Sequence, residues 1–146
     1  MAVTLNQMQG HLDELAAEHG VTLETWDGLP TTDARLVLRW GHPPVIYTRP
    51  LRSRREYLAG LHEFGHYIVG RRGPPRNGGC DVPVHLVDEV AAWCWAFDHH
   101  ARVEITHTAR VRVADLLSTW LTTWAQASRA TGTGPGPCPR ICVTST

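Results

Sequence analysis

Five consecutive residues, His62-Glu63-Phe64-Gly65-His66, carry the first sign of chemistry in this chain. Positions four apart on an α-helix lie one turn above each other, so both imidazoles can reach a single ion while Glu63 stands beside it. Two neutral nitrogen ligands suit a divalent metal, Zn2+ above all, and the adjacent carboxylate is placed to take a proton from water that the metal activates. His62 and His66 are therefore the candidate metal ligands and Glu63 the candidate catalytic base. The reaction such a set performs is hydrolysis, with a peptide bond as the natural substrate.

A catalytic zinc keeps three protein ligands and one open position, so a further donor is required. The nearby pattern, in which a third histidine follows six residues after the second, is absent: that position is Arg72, and the glycine expected three after His66 is Val69. The donor must come from another element, and Glu89 is the best placed. It stands at the head of the run Val90-Ala91-Ala92-Trp93-Cys94-Trp95-Ala96-Phe97, where an uncompensated carboxylate would be costly and a metal would satisfy it. Its neighbour Asp88 is expected to cap the helix or to accept a hydrogen bond from a ligand histidine, and His85 to face solvent. His99, His100 and His107 are the candidate donors for stabilising a tetrahedral oxyanion. Asp98, His99 and His100 cannot share one ion, because consecutive residues on a helix diverge.

The elements that must position these groups can be read from periodicity. Val3, Leu5, Met8, Leu12, Leu15 and Ala16 form a helical stripe over residues 3–19 that stops at Gly20. Val21 and Leu23 alternate with polar neighbours ahead of a turn at 26–30, and the runs 34–40 and 45–47 read as a hairpin around Gly41-His42-Pro43-Pro44. Tyr57, Leu58, Leu61, Phe64, Tyr67 and Ile68 place the histidine motif inside a helix over 53–69. Gly60 and Gly65 each weaken that helix by roughly 1 kcal/mol relative to Ala, which predicts a close backbone approach or a tight ion site beside them. A loop at 70–80 is followed by a second helix over 84–98, apolar nearly all round and so expected to be deeply buried. Val103 and Ile105 suggest a short strand or extended stretch, and residues 112–128 an amphipathic helix. Trp93, Trp95, Trp120 and Trp124 are expected to be core material.

The result is an α+β domain: a small, three-stranded sheet beside the metal helix, a second ligand-bearing helix crossing it, and a C-terminal helix covering the open side. One domain occupies residues 1–130, and the Gly/Pro-rich stretch 131–146 is a tail. A chain of 146 residues can bury roughly 68 % of its unfolded surface, enough for one core and not for a second catalytic domain. Apolar residues make up 42 % and charged residues 19 %, which excludes a disordered polyelectrolyte. Fourteen basic residues, all Arg, balance fourteen acidic ones, so no overall field favours nucleic acid or an anionic membrane. The N-terminus lacks a signal-peptide pattern, giving a cytoplasmic expectation, and Cys80, Cys94, Cys138 and Cys142 are too irregularly spaced for a disulfide framework or a structural zinc site.

The string LAGLHEFGHYIV, preceded by an Arg-rich helix start and the short strand Val45-Ile46-Tyr47, resembles the metallopeptidase core of the ImmA/IrrE family. The later string from Glu89 to Ala96 resembles that family's second signature, a Glu followed after three residues by Ala and then by an aromatic-Ala pair. Here the usual second acidic residue is Ala91 and the usual Phe is Trp95. The resemblance covers about residues 1–100. It implies a zincin-like, gluzincin-type fold with two His and one Glu on Zn2+, and an endopeptidase that cleaves a protein partner such as a helix-turn-helix repressor. The alternative is a catalytically weak protein that keeps the zinc core for stability and binds its partner through the Trp-containing C-terminal half. Direct DNA binding is disfavoured by the charge balance and by the lack of a reading helix.

Overall fold

The computed structural model describes residues 2–29, 34–72 and 84–130. The chain opens with helix α1 (Leu5–His19), which starts where the sequence supplies a reciprocal cap. Thr4 Oγ accepts from the Gln7 amide at 3.2 Å, and the Gln7 side chain accepts from the Thr4 amide at 2.8 Å. The helix ends at Gly20, whose φ of 66° is the left-handed conformation glycine adopts without penalty. Met8, Leu12, Leu15 and Ala16 form its buried face, as the stripe predicts.

Three short strands follow: β1 (Thr22–Thr25), β2 (Arg35–Val37) and β3 (Val45–Thr48). The hairpin reading holds for β2 and β3, which pair antiparallel with Leu36 opposite Ile46. β1 lies on the other side of β3 and runs parallel to it, so the order is β1-β3-β2 and β2 is an edge strand. The central strand buries Ile46 and Thr48 toward helix α2 (Arg54–Arg72).

α2 carries the motif across the middle of the domain. Its Tyr57, Leu61, Phe64 and Ile68 are buried at spacings of three and four, against α1, the sheet and the C-terminal part of the domain. The expectation of a close backbone approach is met at Gly65 and not at Gly60, where side-chain ends come close instead. A Cβ on Gly60 would lie 3.2 Å from the end of the Leu12 side chain and 3.3 Å from Thr48, and one on Gly65 would lie 2.6 Å from the Ala92 carbonyl oxygen. Two helix backbones meet at Gly65, and only hydrogen fits between them.

The partner at that crossing is α3 (Val84–Cys94). The sequence reading carries this helix regularly to about residue 98, but after Cys94 the backbone widens into a π-helical turn over Trp95–His100, which closes with the Ala101 amide on the Ala96 carbonyl at 2.8 Å. Uniform burial also fails. Leu86, Ala92, Trp95 and Ala96 are buried, whereas Val87 is exposed and Trp93 and Phe97 are half-buried. The apolar residues on the outer side of this helix do not enter the core; Trp93 and Phe97 wall an open cleft.

Val103 is buried and residues 101–106 are extended without joining the sheet. Helix α4 (His107–Ala130) is longer than the periodicity suggested and packs against α3, with Val111 and Leu116 exposed. A polar node fastens the far side of the domain: His11 Nδ1 lies 2.6 Å from the Tyr57 hydroxyl, which also accepts from the Arg102 amide at 3.2 Å, and Arg102 pairs with Glu14 at 2.9 Å. These bonds tie α1, α2 and the segment after the π-helical turn together. No described helix is long and apolar enough to cross a membrane. Residues 73–83 and 131–146, with Cys80, Cys138, Cys142 and the predicted loop and tail, lie outside the described residues, as does the side chain of His85.

Candidate metal centre

Helical spacing puts His62 above His66 on α2, their ring centroids 4.4 Å apart, and the close crossing at Gly65 brings α3 over both. Glu89 stands one turn before Ala92, the residue that touches Gly65, so its carboxylate falls on the two imidazoles. Oε2 lies 2.8 Å from His62 Nε2 and Oε1 lies 2.8 Å from His66 Nε2. The three side chains retain only 12 %, 21 % and 17 % of their exposure. Among the described residues they form a group able to hold a metal ion.

The orientation of these atoms tests that fit. His62 Nε2 is buried and makes no aligned hydrogen bond, although a carboxylate oxygen lies at hydrogen-bond distance. A buried imidazole nitrogen left without a hydrogen-bond partner beside a carboxylate is an atom that a cation would satisfy. A tetrahedral zinc holds its ligand atoms roughly 3.3 Å apart, and one ligand atom from each of the three residues lies within 4.8 Å of the others. The donor set, two imidazoles and one carboxylate, is that of a catalytic zinc.

Electrostatics agree. Burial alone would raise the Glu89 pKa, but the adjoining His62 and His66 imidazoles outweigh it and pull the group down to about 2. Burial disfavours the charged form of His66, yet Glu89, with smaller contributions from Glu63 and Asp88, reverses this and raises its pKa. The carboxylate thus draws positive charge into the site, which a proton on His66 or a metal cation supplies.

Glu63 stands beside the ligand set, on the Nδ1 side of His62. Its Oε2 accepts a hydrogen bond from the backbone amide of Leu36 on edge strand β2 at 3.0 Å, and its Oε1 is 3.6 Å from His62 Nδ1. Burial raises its pKa, against the pull of the two histidines and the Leu36 amide. A carboxylate held by one oxygen, with a raised pKa, suits a general base. The indole of Trp93 lies flat on His62, with centroids 4.0 Å apart and planes at 10°, and fixes that ring.

His62, Glu63 and Glu89 line a cleft of about 660 Å³, within the range of pockets that enclose small ligands. A smaller recess of about 240 Å³ opens on the other side, where Asp88 and His66 share the lining. The remaining sequence candidates lie elsewhere. His100 stacks on Trp95 at 3.9 Å and feels Glu18 and His19 at the end of α1, while His99 and His107 are exposed, and none of the three lines the cleft. Three features escaped the sequence reading. The Leu36 amide is a backbone group and leaves no residue-type signal. Trp93 and Trp120, expected in the core, line the cleft, as do Arg54, Arg55 and Arg112. Arg55, Leu58 and His62 are spaced by three and four on one helix face, a pattern that could have placed Arg55 beside the site.

Comparisons of the chain with family models, with curated proteins and with solved structures found no match.

Proposed function

We propose that this protein is a zinc-dependent endopeptidase. The observation that carries the reading is the convergence of His62 Nε2, His66 Nε2 and the Glu89 carboxylate beside an open cleft that His62, Glu63 and Glu89 line, with Glu63 held by the Leu36 amide. The resemblance of the two motifs to the ImmA/IrrE core supports it and points to a protein substrate, with a helix-turn-helix repressor as the partner to test first.

His62, His66 and Glu89 would hold the zinc ion, which would supply Lewis acidity to a water molecule and to a peptide carbonyl. Glu63 then accepts the proton of the attacking water at its free oxygen and delivers it to the amine nitrogen as the C–N bond breaks. The Leu36 amide keeps the carboxylate aimed during both transfers. Burial of Glu63 raises its affinity for that proton, which strengthens it as the base. Trp93 holds the His62 ring in place, and Asp88 lies beside the second histidine, where its charge favours positive charge on that ring.

Purified protein should bind about one zinc per chain and cleave members of a peptide library, with activity lost on chelation. Glu63→Gln should keep the metal and lose at least 100-fold in kcat/KM. Intact metal with no cleavage of any peptide or candidate repressor would sink the enzyme reading. It would favour the alternative, in which the zinc core is structural and partner regulation survives Glu63→Gln.

A further inference from the structure

The peptidase reading leaves open what enters the cleft, and the lining is distinctive. One wall is apolar and comes from α3, the π-helical turn and α4: Trp93, Phe97, Val113, Leu116 and Trp120. Leu116 remains 45 % exposed. The rim is cationic, with Arg54 and Arg55 from the first turn of α2 and Arg112 from α4. Arg54 reaches only the Glu104 carbonyl, at 3.5 Å, and neither Arg55 nor Arg112 has a carboxylate partner among the described residues. Apart from Glu63 and Glu89, Glu104 is the one carboxylate residue among those lining the cleft. Two of these three guanidinium groups thus stand beside the apolar wall with no carboxylate partner among the described residues, open to a carboxylate from a ligand.

We propose that the cleft selects peptide segments with a bulky apolar side chain beside the scissile bond and an Asp or Glu two or three residues farther along. The proposal rests on the peptidase reading of the same site. Trp93 lies one turn from Glu89 and is stacked on His62, so the apolar wall begins at the metal cluster itself. Arg55 precedes His62 by two helical turns, about 10 Å along the axis. An extended peptide advances roughly 3.3 Å per residue, which sets the carboxylate two or three positions from the reacting bond. Guanidinium forks pair with carboxylates in a planar, two-bonded geometry, so the rim reads the acid and the wall reads the apolar neighbour. A polyanion such as nucleic acid is a poorer occupant, because it needs a continuous basic track and this lining carries as many carboxylates as guanidinium groups, whereas one acidic side chain need meet only the arginines.

The test uses Glu63→Gln protein loaded with zinc, so that binding is read without turnover, and fluorescein-labelled peptides read by anisotropy. The reference peptide carries Leu and, two residues on, Glu; in the comparison peptides Lys replaces Glu or Ala replaces Leu. Either replacement should weaken binding at least tenfold, and the effect of Lys should shrink as salt rises. Arg55→Glu and Arg112→Glu, both at exposed positions, should each reduce the preference for Glu over Lys, and together reverse it, with far-UV circular dichroism unchanged. Equal binding of the Glu and Lys peptides, failure to bind any of them, or tighter binding of a single-stranded oligonucleotide overturns the proposal. Equal cleavage of both peptides by the unaltered enzyme overturns the selectivity and leaves the peptidase standing. Selective binding with no cleavage by the unaltered protein supports the selectivity and overturns the peptidase reading.

Discussion

Gly65→Ala is the most informative single change, because it perturbs the ligand set without touching a ligand. The added Cβ would lie 2.6 Å from the Ala92 carbonyl oxygen and 3.0 Å from its Cα, both backbone atoms that cannot rotate away. Relaxing the first contact to an ordinary carbon–oxygen separation of about 3.3 Å moves α3 off α2 by roughly 0.7 Å. Ala is the better helix former by about 1 kcal/mol, and overpacking costs about 1–3 kcal/mol, so the net destabilisation should be about 0–2 kcal/mol, read by urea unfolding. The larger effect is on the metal. Glu89 is one turn from the contact, and metal–ligand distances tolerate only about 0.2 Å, so zinc affinity should fall about 10–100-fold in a competition titration. Gly60→Ala is the control: its Cβ meets side-chain ends at 3.2 and 3.3 Å, which can yield, and zinc affinity should hold within about threefold. If Gly65→Ala is more stable than the parent and binds zinc equally well, helix propensity governs this position and the close-crossing argument is refuted.

Glu89→Ala should lower zinc affinity severely and abolish peptidase activity, while Asp88→Ala should retain most metal and lose rate within about 10–100-fold; the opposite ranking in a metal titration would move the third ligand to Asp88. Zinc uptake near neutral pH should release a proton, because Glu89 raises the His66 pKa and the imidazole must be neutral to ligate; uptake that is pH-independent between about pH 6 and 8 would contradict this. In the metal-free protein, Glu89 contributes stability present above its ordinary pKa of 4.5 and lost as pH falls toward about 2, and His66 contributes stability present below 6.5 and lost as pH rises through its raised value. Buried Glu63 works oppositely to Glu89, costing stability above 4.5, so pH-dependent urea unfolding of Glu63→Gln should show better retention toward neutral pH than the parent. Tyr57→Phe removes the shared partner of His11 Nδ1 and the Arg102 amide and should cost about 1–3 kcal/mol in urea with zinc affinity unchanged; a loss below about 0.5 kcal/mol would mean that water replaces the hydroxyl.

The sequence by itself determined the parts of this protein that rest on short-range periodicity. Helical spacing alone aligns His62 with His66, and the stripes of α1 and α2 choose their buried faces. Gly20 ends a helix through its own conformational freedom, and Gly65 announced a close backbone approach before any partner was known. The carboxylate at Glu89 was legible because a charge heading an apolar run demands compensation. What lay beyond the sequence were relations between segments. The parallel pairing of β1 with β3 joins residues separated by the whole of β2, and no local pattern distinguishes it from a simple meander. The π-helical turn at Trp95–His100 depends on how the end of α3 settles against the core, and the apolar residues around it divide between that core and the cleft. An indole has the same hydrophobicity in either place, so only tertiary packing could put Trp95 inside and Trp93 on His62. The Leu36 amide reached Glu63 for a similar reason: every residue carries a backbone donor, and only the edge position of β2 aims this one at the site.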